Sequence, residues 1–180
     1  LNESCAHVMQ KEKANITDMY TDLSNLGEIF NVEDRAKKLI GGYKSELKDL
    51  TKSLTESENP LRVFVYDSGE DVPFTAGRYA MPTALIEAAG GKNIMDDFEK
   101  SWGTVTWEEV VERNPEIIVI INYGNVTAEE KRDFMISNPA FSGLDAVKNN
   151  KFVTLEYVEA TPGPRNVKAI KTLAQSFWGK

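Results

Sequence analysis

Three short apolar runs, separated by stretches with helical character, constrain most strongly how this chain can fold. The runs are Arg62–Tyr66 (RVFVY), Ile117–Ile121 (IIVII) and Phe152–Leu155 (FVTL). Helices are predicted between and after them, over about residues 81–89, 107–113, 128–137 and 165–177. Such alternation favours parallel pairing with helices packed on the sheet, and the continuous IIVII run fits a strand buried on both faces. The sequence therefore predicts an α/β lobe in which a parallel sheet lies between two helical layers.

The region before these runs, residues 1–59, has a different pattern that is charged and helical throughout. Apolar residues recur at helical spacing from Ile16 to Phe30. A second, long helix is predicted to start after Asn31, which we assign as its N-cap, and to continue to about Leu54. A short polar linker, Thr55–Pro60, follows. We therefore predict a helical region over residues 1–59 and an α/β lobe over residues 60–180.

Charge and composition exclude several classes of function. The 180 residues carry a formal net charge of −7, whereas a protein that binds nucleic acid normally presents a basic face. No window approaches the roughly 18 consecutive apolar residues that a membrane span requires. A single cysteine, Cys5, excludes an intrachain disulfide. No signal peptide opens the chain, but a secreted protein whose signal had been removed would look the same.

Aromatic and cationic residues follow the predicted strands and mark a candidate binding site. Arg78 lies in the loop after the first strand, Tyr123 follows the second, Tyr157 follows the third, and Arg165 lies near the start of the last helix. Ligands of open parallel sheets bind beyond the carboxyl ends of the strands, so these side chains are expected at one edge. Trp102, in an irregular segment, joins them if that segment folds over the same edge. Guanidinium groups and aromatic faces suit a bulky anionic or π-rich ligand.

Each of these residues also has a purely structural interpretation, which the pattern alone leaves open. An arginine in a loop is often a solvated surface group, and a tyrosine at a strand end often closes the edge of a core. Trp102 stands outside any apolar periodicity, which makes it harder to explain by packing, although such a tryptophan can also cap a core.

Two neighbouring acids, Glu108 and Glu109, are predicted to have different roles. Thr106 and Glu109 have the spacing of a capping box, as do Thr127 and Glu130, so these residues are assigned to helix starts. Glu108 lies in the first turn of the same helix without a capping role, and its side chain is free to point outward. Upstream, Gly90 and Gly91 are both predicted to adopt positive φ at the end of a helix, and Asn93 is assigned to a turn.

Few residues favour an enzyme. Cys5 and His7 lie close together and are the only members of their types, so a metal-dependent enzyme built on them is a minor alternative. The Gly90-Gly91 pair follows a helix, whereas a phosphate-binding glycine loop precedes one. No pair of acids falls together at the strand ends, where general acid–base work would need them. We therefore predict no enzymatic activity, no cofactor and no metal site.

The chain also resembles a known family of binding proteins. The segments FTAGRYAMPTALIEAAGGKN, SWGTVTWEEV, NPEIIVI and YVEATPGPRN are similar to the C-terminal lobe of class III (cluster A) substrate-binding proteins of ABC importers, above all the iron-siderophore branch. Upstream, ESCAH and YTDLSNLGEIFNVEDRAKKLI resemble the end of that family's N-terminal lobe and the long helix between the lobes. The resemblance implies a periplasmic-binding-protein-like fold, and it implies that this chain is part of a longer protein.

The family pattern also implies roles for individual residues. Trp102 matches the tryptophan that lines the cleft, and Glu108 matches the glutamate that docks on the permease. Residues in the cleft-facing loops that would contact the ligand are Arg78, Tyr123, Tyr157 and Arg165. The resemblance implies capture of a ferric siderophore outside the cytoplasm, in the periplasm or on a lipid-anchored protein, and delivery to a permease. Haem or cobalamin binding by the same fold is the alternative.

Overall fold

The computed structural model describes residues 11–54 and 59–179, and over these residues it contains eight α-helices and six β-strands. The helices are α1 Thr17–Ile29, α2 Glu33–Leu54, α3 Met81–Ala88, α4 Trp107–Arg113, α5 Ala128–Ser137, α6 Asp145–Lys148, α7 Tyr157–Ala160 and α8 Asn166–Trp178. The strands are β1 Leu61–Tyr66, β2 Phe74–Ala76, β3 Gly91–Asn93, β4 Trp102–Thr104, β5 Ile117–Asn122 and β6 Phe152–Glu156. A 3₁₀ turn, Pro139–Phe141, follows α5.

Four of the strands form a parallel sheet in the order β3-β1-β5-β6. The three predicted strands are β1, β5 and β6, and each observed bound lies within one residue of the predicted one. Helices α4 and α5 have the predicted bounds, and α3 and α8 differ from theirs by one residue. The predicted α/β class with a parallel sheet is therefore confirmed.

Alternate residues of the strands enter two separate cores, which gives the predicted three layers. Val63 and Val65 of β1 lie in a core that also holds residues of α3 and α8. Phe64 and Tyr66 point to the other face and lie in a core with residues of α4 and α5. Because both faces of the sheet are covered, its central strands read as continuous apolar runs.

The helical region contributes to the first of these cores. Met19 of α1, together with Leu47 and Leu54 of α2, is buried in the same cluster as α3 and α8. The boundary between a helical region of residues 1–59 and an α/β lobe of residues 60–180 stays a prediction. Residues 1–10, which include Cys5 and His7, lie outside the described residues.

Asn31 ends α1 and is not the N-cap of α2. Its φ of 53° is left-handed, its N–H donates to the Glu28 carbonyl at 3.2 Å, and the Val32 N–H donates to the Gly27 carbonyl at 2.8 Å. This hydrogen-bond pair is the Schellman motif, in which a left-handed residue satisfies the last carbonyls of a helix. Asparagine is common at both helix starts and helix ends, so the N-cap role predicted for Asn31 from its residue type was wrong.

The segment from Gly90 to Thr104 is more regular than predicted. Gly90 has a φ of 81°, as predicted for a helix end, but Gly91 begins β3 and a Cβ there would lie 2.9 Å from Phe177. Asn93 ends β3 as a buried residue and is not a turn residue. Trp102 lies in β4, which pairs antiparallel with β2, so its segment is a strand and not irregular.

Candidate functional site

The parallel sheet places the ends of β1, β5 and β6 side by side. The residues that follow these strands are Asp67 after β1, Tyr123 after β5 and Tyr157 after β6. In open parallel sheets, ligands bind in the crevice outside this carboxyl edge. The candidate site therefore extends outward from this edge.

The structure brings two of the predicted site residues, Tyr123 and Tyr157, into contact. Their ring centroids lie 4.5 Å apart with an interplanar angle of 25°, and the side chains are 53% and 47% exposed. The strand register explains the contact: Asn122 pairs with Glu156, so the residues that follow lie next to each other. Below the rings, the Asn122 amide donates to both carboxylate oxygens of Glu156 at 3.1 Å. The result is an exposed aromatic surface, here called the tyrosine pair, at the edge of the sheet.

A buried lysine and a buried aspartate lie beneath this edge, and the sequence analysis identified neither. Lys131, in the first turn of α5, donates from Nζ to the Ile121 carbonyl at 2.7 Å and to the Tyr123 carbonyl at 3.0 Å. Burial lowers the pKa of Lys131, and the charge of Asp67 partly opposes that shift. Burial likewise raises the pKa of Asp67, against a hydrogen bond from Ser68 and the charge of Lys131. Lysine is almost always exposed, so its residue type gave no signal of burial.

Arg165 lies on the β6 side of this edge. It precedes the first residue of α8, it is exposed, and its charge acts on Glu159. Burial raises the pKa of Glu159, but the hydrogen bonds from Lys168 and the Glu156 N–H, with the charges of Lys168 and Arg165, bring it below the ordinary value. The Glu159 carboxylate receives Lys168 Nζ at 2.6 Å.

Arg78 lies next to the segment after β3, the outer strand on the other side of the sheet from β6 and Tyr157. Its Nε donates to the Asp96 carbonyl at 2.9 Å and its Nη1 to the Glu99 carboxylate at 3.3 Å, both in the segment that follows β3. Since β3 and β6 are the two outer strands, the structure does not place Arg78 beside Tyr157. Arg78 instead borders a polar pocket of about 400 Å³, lined also by Glu12, Lys13, Tyr79, Thr83, Glu87 and Asp96.

Trp102 belongs to the same two-stranded unit as the Arg78 loop. Its ring stacks on Phe74 with centroids 6.0 Å apart and an angle of 13°, and it packs partly buried against the first core. Directly before Arg78, the Gly77 N–H donates to the Ser101 carbonyl at 2.8 Å, which ties the two segments together. The structure therefore groups Trp102 with Arg78, and groups Tyr123 with Tyr157.

Glu108 is exposed, as predicted for a residue with no capping role. Its neighbour Glu109 donates its N–H to the Thr106 hydroxyl at 3.2 Å, while the Glu109 carboxylate receives Arg113 Nη2 at 2.6 Å. The capping box at Thr106 is thus only half formed, whereas the box at Thr127 and Glu130 has both hydrogen bonds. Within residues 11–54 and 59–179 the Glu108 carboxylate forms no ion pair.

The part of the chain that the structure describes shows neither a cluster of metal-ligating side chains nor a membrane-spanning helix. No group of three or more His, Cys, Asp or Glu side chains there could hold a metal ion. No helix among those residues combines the length and the apolar character needed to cross a membrane.

Comparison with known proteins relates this geometry to a family. The model of the family described as "Periplasmic binding protein" matches residues 1–158. A curated relative from Bacillus subtilis (strain 168), the "Uncharacterized ABC transporter substrate-binding lipoprotein YvrC", is 27% identical over 166 residues. The match covers 90% of this chain and 50% of that relative, so the chain spans about half the length of the curated relative.

Solved structures support the same fold. A periplasmic binding protein from Veillonella parvula matches with a TM-score of 0.85 and 31% identity, over 93% of this chain and 58% of that one. A protein from Staphylococcus epidermidis ATCC 12228, described as a possible iron-binding (periplasmic solute-binding) protein, matches with a TM-score of 0.79 and 25% identity. That match covers 93% of this chain and 64% of the other.

Proposed function

The chain belongs to the periplasmic binding protein family, and on that premise we propose that it forms part of the substrate-binding component of an ABC importer. The protein captures an iron-siderophore complex outside the cytoplasm and delivers it to the permease. It binds and releases its ligand without changing it chemically. The lipoprotein relative supports an extracytoplasmic location, either free in the periplasm or anchored by lipid.

The tyrosine pair is the observation that carries this proposal. Two rings that are each about half exposed, at the ends of neighbouring strands, present apolar area to solvent where a packed core would have buried it. Exposed aromatic surface in a concave or edge position favours contact with the body of a bulky ligand. The family membership supplies the transport context, and the iron-binding description of the Staphylococcus epidermidis relative favours an iron complex.

Cationic and aromatic groups outside the pair extend the proposed site. Arg165 adds an exposed guanidinium whose charge acts on Glu159, two residues after Tyr157, and which suits the carboxylate, hydroxamate or catecholate oxygens of a siderophore. Trp102 and Arg78 form a second group, and one ligand reaches both groups if it spans the sheet edge. Because this chain matches only about half of its relatives' length, we propose that the rest of the protein closes the site from the other side.

Ligand binding is tested with the full-length protein that contains this chain. The protein is titrated with ferric desferrioxamine B, ferrichrome, ferric enterobactin, haem and cyanocobalamin while tryptophan fluorescence is followed. We expect quenching by at least one ferric siderophore, and weaker binding after Trp102→Ala or Tyr157→Ala. Trp178→Phe is the control, because that indole contacts Ala89 at the far end of α8. Binding of haem or cyanocobalamin alone would reassign the ligand, and no binding of any of the five would reject the proposal.

Glu108 is proposed to dock on the permease. Replacing it with arginine should abolish ligand uptake into cells without changing ligand affinity, because the residue is exposed on α4 and is not among the residues proposed to contact the ligand. Glu129→Arg is a matched control, since Glu129 occupies the same position, two residues after the N-cap, on α5. Uptake that survives Glu108→Arg at the control level would reject the docking role.

A further inference from the structure

Lys131 is the most deeply buried charged side chain near the proposed site. Only 2% of its surface is exposed, although it lies one helical turn after Thr127, the N-cap of α5. Removing an ammonium group from water is costly unless every donor finds a partner. A buried lysine at the edge where a ligand is proposed to bind therefore needs a physical explanation.

The hydrogen bonds of Lys131 lie at the end of β5. Its Nζ donates to the carbonyl of Ile121 in β5 and to the carbonyl of Tyr123 just beyond that strand. Its charge also acts on Asp67, the residue that follows β1. The Tyr123 ring in turn stacks on Tyr157, which follows β6. One ammonium group thus joins α5 to the end of β5 directly beneath the tyrosine pair.

Within residues 11–54 and 59–179, few other contacts hold the chain at Tyr123. The segment from Tyr123 to Thr127 is exposed, and it contains Gly124 at a φ of 83°. The Tyr123 carbonyl accepts a hydrogen bond from Lys131, and the Tyr123 ring stacks on Tyr157. If the ammonium is removed, the carbonyls of Ile121 and Tyr123 lose a buried donor, and the backbone at Tyr123 is free to move toward water. The orientation of the ring would then no longer be set before a ligand arrives.

We propose that Lys131 is a positioning residue for ligand binding. Its hydrogen bond to the Tyr123 carbonyl fixes the orientation of the tyrosine pair before the pair contacts the ligand. This proposal rests on the proposed function of the same edge. Lys131 does not touch the ligand itself. A tyrosine pair whose orientation is fixed in advance gives tighter binding, because no conformational entropy is then lost in ordering it when the ligand binds.

A double-mutant cycle separates this role from simple stabilisation of the fold. Lys131→Met, Tyr123→Ala and the double variant are compared with the wild-type protein in full-length form. The probe is whichever of the five complexes named above binds the wild-type protein most tightly. We expect Lys131→Met to weaken binding about tenfold in the wild-type background, and to have no further effect once Tyr123→Ala has removed the ring. Lys131→Arg, which keeps the cation and its donors, should recover part of the lost affinity.

Arg132→Met is the matched control, because it removes a cation from the next position of α5. Arg132 donates to Asn150, away from the tyrosine pair, so its loss should leave affinity unchanged within about twofold. A loss of the same size in both Tyr123 backgrounds, or no loss at all, would overturn the positioning role while leaving the proposed function intact. If the wild-type protein binds none of the complexes, both proposals are wrong.

A ligand-free measurement keeps the proposal testable if Lys131→Met folds poorly. Backbone order parameters are measured by NMR relaxation in the wild type, Lys131→Gln and Arg132→Met. Lower order parameters confined to residues 122–126 in Lys131→Gln support the proposal. Wild-type order parameters in that segment contradict it, because the ammonium would then not hold the loop.

Discussion

Asn93 gives the most direct test of how the Arg78 side of the site is held together. It is fully buried at the end of β3, and each of its side-chain polar atoms has a partner. Its Nδ2 donates to the Ala76 carbonyl and to the Thr83 hydroxyl, both at 2.8 Å, and its Oδ1 accepts from the Met95 N–H at 3.1 Å. One side chain therefore joins β3 to the end of β2 and to the first turn of α3.

Replacing Asn93 with alanine removes these hydrogen bonds inside a buried region. The Ala76 carbonyl and the Met95 N–H each lose their side-chain partner, and an unsatisfied buried group costs about 1 to 3 kcal/mol. The two together predict a loss of about 2 to 6 kcal/mol in the free energy of unfolding. That is a large part of the roughly 5 to 15 kcal/mol that keeps a typical domain folded.

The assay is urea unfolding followed by tryptophan fluorescence. With a slope of about 2 kcal/mol per molar urea, the midpoint should fall by about 1 to 3 M while the slope itself stays constant. Asn125→Ala is the control, because Asn125 is exposed in the loop before α5 and its loss should change the free energy by less than about 0.5 kcal/mol.

A second variant shows whether the hydrogen-bond network is responsible. Thr83→Val removes the hydroxyl that accepts from Asn93 and donates to the Gly77 carbonyl at 2.7 Å. Because the two residues share one network, the double variant should lose less than the sum of the single losses. An Asn93→Ala protein within about 1 kcal/mol of the wild type would refute the reasoning, since the buried groups would then have found other partners.

Two further predictions concern the core beneath the site. Burial raises the pKa of Tyr66 from 10.0 to about 12, with Glu70 and Asp67 adding to the shift. Tyr66 therefore ionises at lower pH in the unfolded chain than in the folded protein. The free energy of unfolding should fall by up to about 3 kcal/mol as the pH rises from 10 to 12. Tyr66→Phe should abolish this fall, which is measured by urea unfolding at pH 9 and 11.5. Phe141 is buried against Trp107 with ring centroids 4.6 Å apart, so Phe141→Ala should cost about 3 to 5 kcal/mol in thermal unfolding. Phe30→Ala, at a residue 67% exposed, should cost less than about 0.5 kcal/mol; equal losses would contradict the assigned core.

The candidate site was only partly predictable from sequence. Tyr123 and Tyr157 were found because each directly follows an apolar strand, and the carboxyl ends of parallel strands share an edge. Arg78 was placed by the same rule, but its guanidinium contacts Asp96 and Glu99, which follow the outer strand β3, so it lies apart from Tyr157 after the other outer strand β6. Lys131 was missed, because its burial depends on carbonyls at the end of a strand rather than on the residues around it in α5.

The sequence by itself determined the elements whose burial pattern is local. The apolar runs of β1 and β5 follow from burial on both faces of a sheet, and Thr127 with Glu130 marks the start of α5 within four residues of chain. Such signals lie within one element, so they can be read without knowing what packs against it.

Only the tertiary structure decided what depends on partners distant in the chain. Strands β2, β3 and β4 have three residues each, too few to show a period, and they form because their backbone groups find partners in other segments. The register between β5 and β6 placed Tyr123 on Tyr157, and the Asn93 network fixed the Arg78 loop. Hydrogen bonds and ring contacts between such segments are set by three-dimensional packing, which no local pattern encodes.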